Sequence, residues 1–108
     1  ESATQPGPAG DFAVLVRYCD AEGNRPDEDW PPPTPPFEPW YKHWQRRPFE
    51  DRTVVFGHWA REGLIEEHRV RGLDTGAVYG GELSAWIAEE DRIVSVPAAR
   101  AYTPTTLR

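Results

Sequence analysis

Two blocks decide the reading of this chain: Thr-Val-Val-Phe-Gly-His-Trp at residues 53–59 and Gly-Leu-Asp-Thr-Gly-Ala-Val-Tyr-Gly-Gly at residues 72–81. Val54, Val55 and Phe56 form a short apolar run of β-branched and aromatic residues, which predicts a buried strand. The run ends in Gly57-His58, so one imidazole sits at the strand's C-terminal end, an edge where functional groups often collect. The second block sets four glycines around Asp74 and Tyr79. Glycine at that density calls for tight turning or for close approach of the backbone to a ligand.

Outward from these blocks the pattern is mostly β. Residues 12–19 (Phe-Ala-Val-Leu-Val-Arg-Tyr-Cys) are nearly continuous in apolar character and read as a strand, closed by turn chemistry at residues 20–24. Six prolines between residues 26 and 36 exclude a sheet interior or a helix and predict an extended surface loop. Residues 37–44 suit a short helix with Pro39 in its first turn, which puts Trp40 and Trp44 on one face. Residues 59–63 read as a turn or one helical turn, and residues 65–73 as a strand. Residues 83–88 and 93–96 form a hairpin around Glu89, Glu90 and Asp91. Residues 1–11 read as a flexible tail or linker, 12–97 as the domain and 98–108 as a polar tail.

At 108 residues the chain holds one small domain. A net charge of −6 and a pI near 5.0 argue against nucleic acid or an anionic membrane as the main partner. No apolar run approaches the roughly 20 residues of a membrane-spanning helix, and no signal peptide is visible. One cysteine, Cys19, excludes an internal disulfide and suits a reducing, cytoplasmic setting. With no methionine, the chain is expected to be a piece or a processed product of a longer protein.

Each chemical candidate has a plain structural alternative. His58 is either a structural histidine or a ligand, with Gly57 leaving room beside it and Trp59 forming a rigid wall. Asp74-Thr75-Gly76 matches an aspartic-protease half-site, but only 34 residues follow Asp74, too few for the rest of that fold. The other reading makes Asp74 a loop-ordering residue that accepts backbone N–H bonds. Arg17, set among apolar residues, needs either a carboxylate such as Asp74 or an oxyanion to bind. Tyr79 could bind a substrate oxygen or belong to the core. His43 and His68 read as surface residues, and Cys19 as a buried, inert thiol.

Taken together, the segments at residues 16–23, 54–60 and 73–85 resemble the C-terminal part of the symmetrical dinucleoside (diadenosine) tetraphosphatases, which are calcineurin-like metallophosphoesterases. The resemblance covers residues 12–97. It implies an α/β class: the mostly-β C-terminal portion of an α/β/β/α sandwich, with about five strands and a short helix. It also implies a metal-dependent phosphoesterase acting on a dinucleoside polyphosphate, with two divalent ions of the Mn, Co, Mg or Fe/Zn class. His58 would ligate the second metal and Arg17 and Tyr79 would contact substrate. Trp59, Asp74 and Gly76 would lie beside the site. The chain carries Leu15 and Ala77 where the family has an arginine and a cysteine. The family draws most of its metal ligands from Asp-x-His, Gly-Asp-x-x-Asp-Arg-Gly and Gly-Asn-His-Glu blocks, none of which occurs here. Two ions about 3.5–4 Å apart need several ligands, so the 108 residues alone are expected to be inactive and to require upstream chain. The alternative is a non-catalytic β-module whose contact surface is the proline loop with Trp40 and Trp44.

Overall fold

The computed structural model describes residues 15–103. The chain divides into two units, residues 1–50 and 51–108. The tail expected at residues 1–11, the start of the strand expected at 12–19 and residues 104–108 lie outside the described residues.

In the first unit, β1 (Tyr18–Cys19) pairs antiparallel with β2 (Glu38–Pro39), Tyr18 opposite Pro39 and Cys19 opposite Glu38. The strand expected over residues 12–19 is therefore corrected to these two residues within the described part, and Leu15 has helical backbone. A continuous apolar run does not by itself separate strand from helix. The turn after β1 is built on Asp20, whose Oδ1 accepts the N–H groups of Glu22 (3.0 Å) and Asn24 (2.8 Å). Helix α1 (Trp40–Gln45) starts three residues later than the sequence suggests. The reason is that Glu38 and Pro39 are spent in β2, and Pro39 is the N-cap, with φ −50° and ψ 133°, rather than a first-turn residue. The Trp40 N–H donates to the Arg17 carbonyl at 3.0 Å, which fixes the helix entry against the residue before β1. Lys42 occupies its last turn, where positive charge complements the helix dipole. Residues 26–36 hold neither strand nor helix, as their prolines require. Among the described residues of this unit, Tyr18, Cys19 and Tyr41 are buried.

In the second unit, β3 (Val54–Phe56) and β5 (Val70–Gly72) run parallel, and β4 (Ile65–Glu67) pairs antiparallel with β5, in the order β3-β5-β4. The single strand expected at residues 65–73 is corrected to this β4–β5 hairpin, which turns at His68-Arg69 with Arg69 at φ 56°. Five positions separate Ile65 from Val70, so one straight strand would point them to opposite faces. Folding back puts both on one face with Val54, Phe56 and Gly72, and both are buried, at 6% and 0% exposure. Gly72 makes room on that face: a Cβ there would lie 2.7 Å from Phe56 Cζ and 3.1 Å from Ile65 Cβ.

The hairpin of β6 (Glu82–Ile87) and β7 (Arg92–Pro97) forms as its turn residues predict. A 3-10 turn at Ala88–Glu90 leads into Asp91 at φ 48°, ψ 50°, the left-handed region that reverses the chain. A second 3-10 turn, Ala60–Glu62, follows Trp59, matching the expected helical turn. The described residues thus hold seven strands, more than the five or so expected, because three-residue and two-residue strands carry little periodicity. Residues 98–103 are stitched to the glycine loop rather than hanging as a tail. Ala98 N–H donates to Gly81 O (2.8 Å), Tyr102 N–H to Val78 O (2.7 Å), and Ala101 pairs with Tyr79. Among the described residues no helix is long and apolar enough to cross a membrane.

Candidate active site

The parallel register of β3 and β5 sets Phe56 opposite Gly72. Two residues further along each strand come His58 and Asp74. The fold therefore brings these two to the same sheet edge, beyond the C-terminal ends of two paired parallel strands, where ligands bind in open α/β sheets. The Leu73 N–H bond to Phe56 O (2.9 Å) carries the ladder to that edge. A cleft of about 490 Å³ opens beside it, lined by Phe56, Gly57, Asp74, Thr75, Glu82 and Leu83 among others.

His58 is exposed and has φ 72°. A non-glycine residue in the left-handed region costs about 1 kcal/mol or more and persists where the surroundings impose it. Beside it, a Cβ on Gly57 would meet nothing within 4 Å, so Gly57 borders open space. Trp59 is 3% exposed. Its ring is part of the core, so it is not an open wall beside His58.

Asp74 orders its loop: Oδ1 accepts the Gly76 N–H at 3.2 Å. Thr75 Oγ1 donates to Glu82 O (2.6 Å) and shares a 2.7 Å bond with Ser84 Oγ, which in turn meets Ser95 Oγ at 2.7 Å. The glycines have internal reasons. Gly76 sits at φ 78°, and a Cβ on Gly81 would stand 2.4 Å from the Thr75 carbonyl oxygen. Gly72 and Gly81 are therefore needed where the chain packs on itself, whatever it binds. Tyr79 is half-buried in this loop, its N–H bonded to Gly76 O at 2.9 Å.

Arg17 lies just before β1, half-buried, with Nη1 3.5 Å from Asp29 Oδ2. This is a carboxylate from the proline-rich loop, a partner that the sequence did not suggest. His43, expected at the surface, is half-buried instead: its Nε2 lies 3.0 Å from the Cys19 carbonyl oxygen. With Nε2–H donating there, Nδ1 is left to accept from Arg46 Nη1 at 3.5 Å. Arg46 also bonds the Glu38 carboxylate at 2.5 Å and, by that hydrogen bond above all, holds its pKa below the ordinary value. His68 stays exposed and accepts from Arg69 Nε at 3.2 Å. The Cys19 thiol is buried, and burial first, then the charges of Asp20 and Glu38, push its pKa up.

Among the described residues no group of three or more His, Cys, Asp or Glu side chains is placed to hold a metal ion. His58 is one exposed imidazole, and one ligand does not hold a catalytic divalent ion. The described residues alone do not fit a two-metal centre.

Over 87 residues the chain is 39% identical to a symmetrical bis(5'-nucleosyl)-tetraphosphatase of Cellvibrio japonicus, a match covering 77% of this chain and 32% of the relative. The chain is homologous to part of the symmetrical bis(5'-nucleosyl)-tetraphosphatases. A tetraphosphatase of the same description from a Marinomonas species is 36% identical over 93 residues, covering 82% of this chain and 33% of its own length. A crystal structure described provisionally as a diadenosine tetraphosphatase superposes with a TM-score of 0.60 at 35% identity, over 79% of this chain and 36% of that one. The chain spans about a third of the length of these tetraphosphatase relatives. Its small, sheet-rich architecture agrees with a partial α/β phosphoesterase fold. No family model matches it.

Proposed function

We propose that this chain is the C-terminal part of a metal-dependent hydrolase that cleaves dinucleoside tetraphosphates symmetrically, each molecule taking up one water to give two nucleoside diphosphates. The observation that carries the reading is sequence identity of 36–39% to tetraphosphatases over more than three quarters of the chain.

In this reading two divalent ions of the Mn, Co, Mg or Fe/Zn class serve the whole protein, and most of their ligands come from outside these 108 residues. His58 is the contribution of this chain, held at an exposed sheet edge by a strained turn between Gly57 and the buried Trp59. Asp74 and Gly76 shape the loop beside it. Arg17 binds a substrate phosphate, and Tyr79 a substrate oxygen. Asp29 then competes with phosphate for the Arg17 guanidinium. The metal-dependent step itself does not belong to these residues.

The test is turnover of a dinucleoside tetraphosphate by the longer protein with Mn²⁺ or Co²⁺, products resolved by ion-exchange chromatography. Nucleoside diphosphate as the sole product is expected, with His58→Ala lowering the rate at least about a hundredfold. Monophosphate plus triphosphate, or no hydrolysis, sinks the reading. The chain by itself is expected to turn over nothing; metal-dependent hydrolysis by the purified 108 residues would overturn the division of ligands.

A further inference from the structure

The β6–β7 hairpin is apolar on its open side. Its register pairs Leu83 with Val96 and Ala85 with Val94, and directly paired residues share a face. All four are exposed, Leu83 at 63% and Val96 at 51%. The opposite face, with Ser84, Trp86 and Ser95, is tied to the second unit's own residues. Ser84 Oγ bonds Thr75 Oγ1 and Ser95 Oγ, and Trp86 donates to Asp91 and lies against Arg71. A hairpin with one solvated face puts its aliphatic side chains inward and its hydroxyls outward. This one does the reverse. The aliphatic face continues into a groove of about 330 Å³ lined by Val78, Leu83, Val96, Pro97, Ala98 and Tyr102 among others, with no charged residue in its walls.

We infer that this face is an interaction surface for the remaining chain of the longer phosphoesterase, covered there by an apolar face of an upstream element. Three observations select that occupant. The patch is contiguous and free of charge, the composition of a permanent interface, which resembles a core cut in half. A two-stranded sheet is marginal by itself in water and needs a further layer on its apolar side. Finally, the tetraphosphatase relatives and the superposed crystal structure are about three times as long as the match, which covers 32%, 33% and 36% of them. The rest of such a chain is long enough to supply the layer.

The inference rests on the proposed function for the existence of that longer chain. It assigns the outer face of the hairpin to assembly of the domain and leaves the chemistry at the sheet edge untouched.

The experiment compares the double variant Leu83→Thr with Val96→Thr in the 108-residue chain and in the longer protein. Threonine keeps the strand preference and removes aliphatic surface. Urea unfolding is followed at two protein concentrations, with the oligomeric state read by sedimentation. In the 108-residue chain the midpoint should move by less than about 0.3 M, since both side chains are exposed there. In the longer protein it should fall by about 1 M with the oligomeric state unchanged, because two aliphatic contacts leave a buried layer. Val96→Thr alone should give roughly half that drop, and it carries the comparison if the double variant does not fold. Equal shifts in the two proteins, or no shift in the longer one, overturn the surface. So does a drop that follows protein concentration and the loss of a dimer, which gives the face to a second copy. Each of these results leaves the hydrolase reading standing, because that is decided by turnover of the unaltered longer protein.

Discussion

At the scale of single residues, two side chains show opposite compromises. Cys19 is kept harmless. It is 6% exposed, and burial with two nearby carboxylates raises its pKa, so little thiolate forms at neutral pH. Reaction with a thiol reagent at pH 7 is expected to be at least about tenfold slower in buffer than in denaturant; equal rates would mean that the thiol is open in the folded chain. His58 is kept in a strained, exposed position instead. Left-handed backbone penalises any residue with a Cβ and spares glycine. His58→Gly should therefore stabilise the chain, or leave it unchanged within about 1 kcal/mol, in urea unfolding, since the relief is partly offset by glycine's freedom in the unfolded state. A site retained for its imidazole should show that stability gain together with lost turnover in the longer protein. Clear destabilisation by glycine would mean instead that His58 is a structural residue.

At the scale of elements, the second unit depends on a clamp that links two of its sheets. Arg71, on β5, donates to the carbonyls of Glu67 and Val70 (2.6 and 2.8 Å) and to Asp91 Oδ1 (2.8 Å) at the hairpin turn. Its guanidinium also lies 5.2 Å from the Trp86 ring centroid, and the Trp86 Nε1–H donates to the same Asp91 oxygen at 2.9 Å. Arg71→Ala removes the three Arg71 hydrogen bonds and its contact with the Trp86 ring at once, leaves the Trp86–Asp91 bond, and should cost about 2 kcal/mol in denaturant unfolding. Asp91→Asn should cost distinctly less, because that carboxylate is largely exposed. None of this was legible in sequence, where Arg71 and Asp91 are twenty residues apart. What could be read was local. Val54–Phe56 announced itself as a strand by β-branching, though it is not the buried strand expected, Val55 being 48% exposed; the β6–β7 hairpin was marked by its polar turn and the loop at residues 26–36 by proline. The β4–β5 turn escaped because His68-Arg69 carries no glycine or asparagine, the usual mark of a reversal. The helix of residues 40–45 was placed early because Pro39 suits a helix start as well as an edge strand. The candidate site divides in the same way. The edge position of His58 and the loop-ordering bond of Asp74 follow from neighbouring residues, whereas the Asp29 partner of Arg17 comes from a loop whose path no periodicity fixes.

At the scale of the whole molecule, both units depend on carboxylates that are more acidic folded than unfolded. In the first unit, hydrogen bonds led by the Asn24 N–H lower the Asp20 pKa, and the bond from Arg46 lowers that of Glu38. In the second, the bond from Arg71 and then that from Trp86 lower the pKa of Asp91. A group whose folded pKa is depressed gives stability that is fully present above its unfolded pKa and is lost as pH falls through the folded value. The unfolded values lie near 4, so stability should be level between pH 6 and 8 and should fall below about pH 4. Both units should weaken in that same window, because each has its own depressed carboxylate. The urea midpoint followed by tryptophan fluorescence at pH 8, 6 and 3 checks this, and an equal midpoint at pH 6 and pH 3 contradicts it. The cause is separable as well. Glu38→Gln with Asp91→Asn removes the carboxylates held by Arg46 and Arg71, and should lower the midpoint at pH 6 more than at pH 3, flattening the acid limb. An acid limb just as steep in the double variant would assign the acid response to other carboxylates.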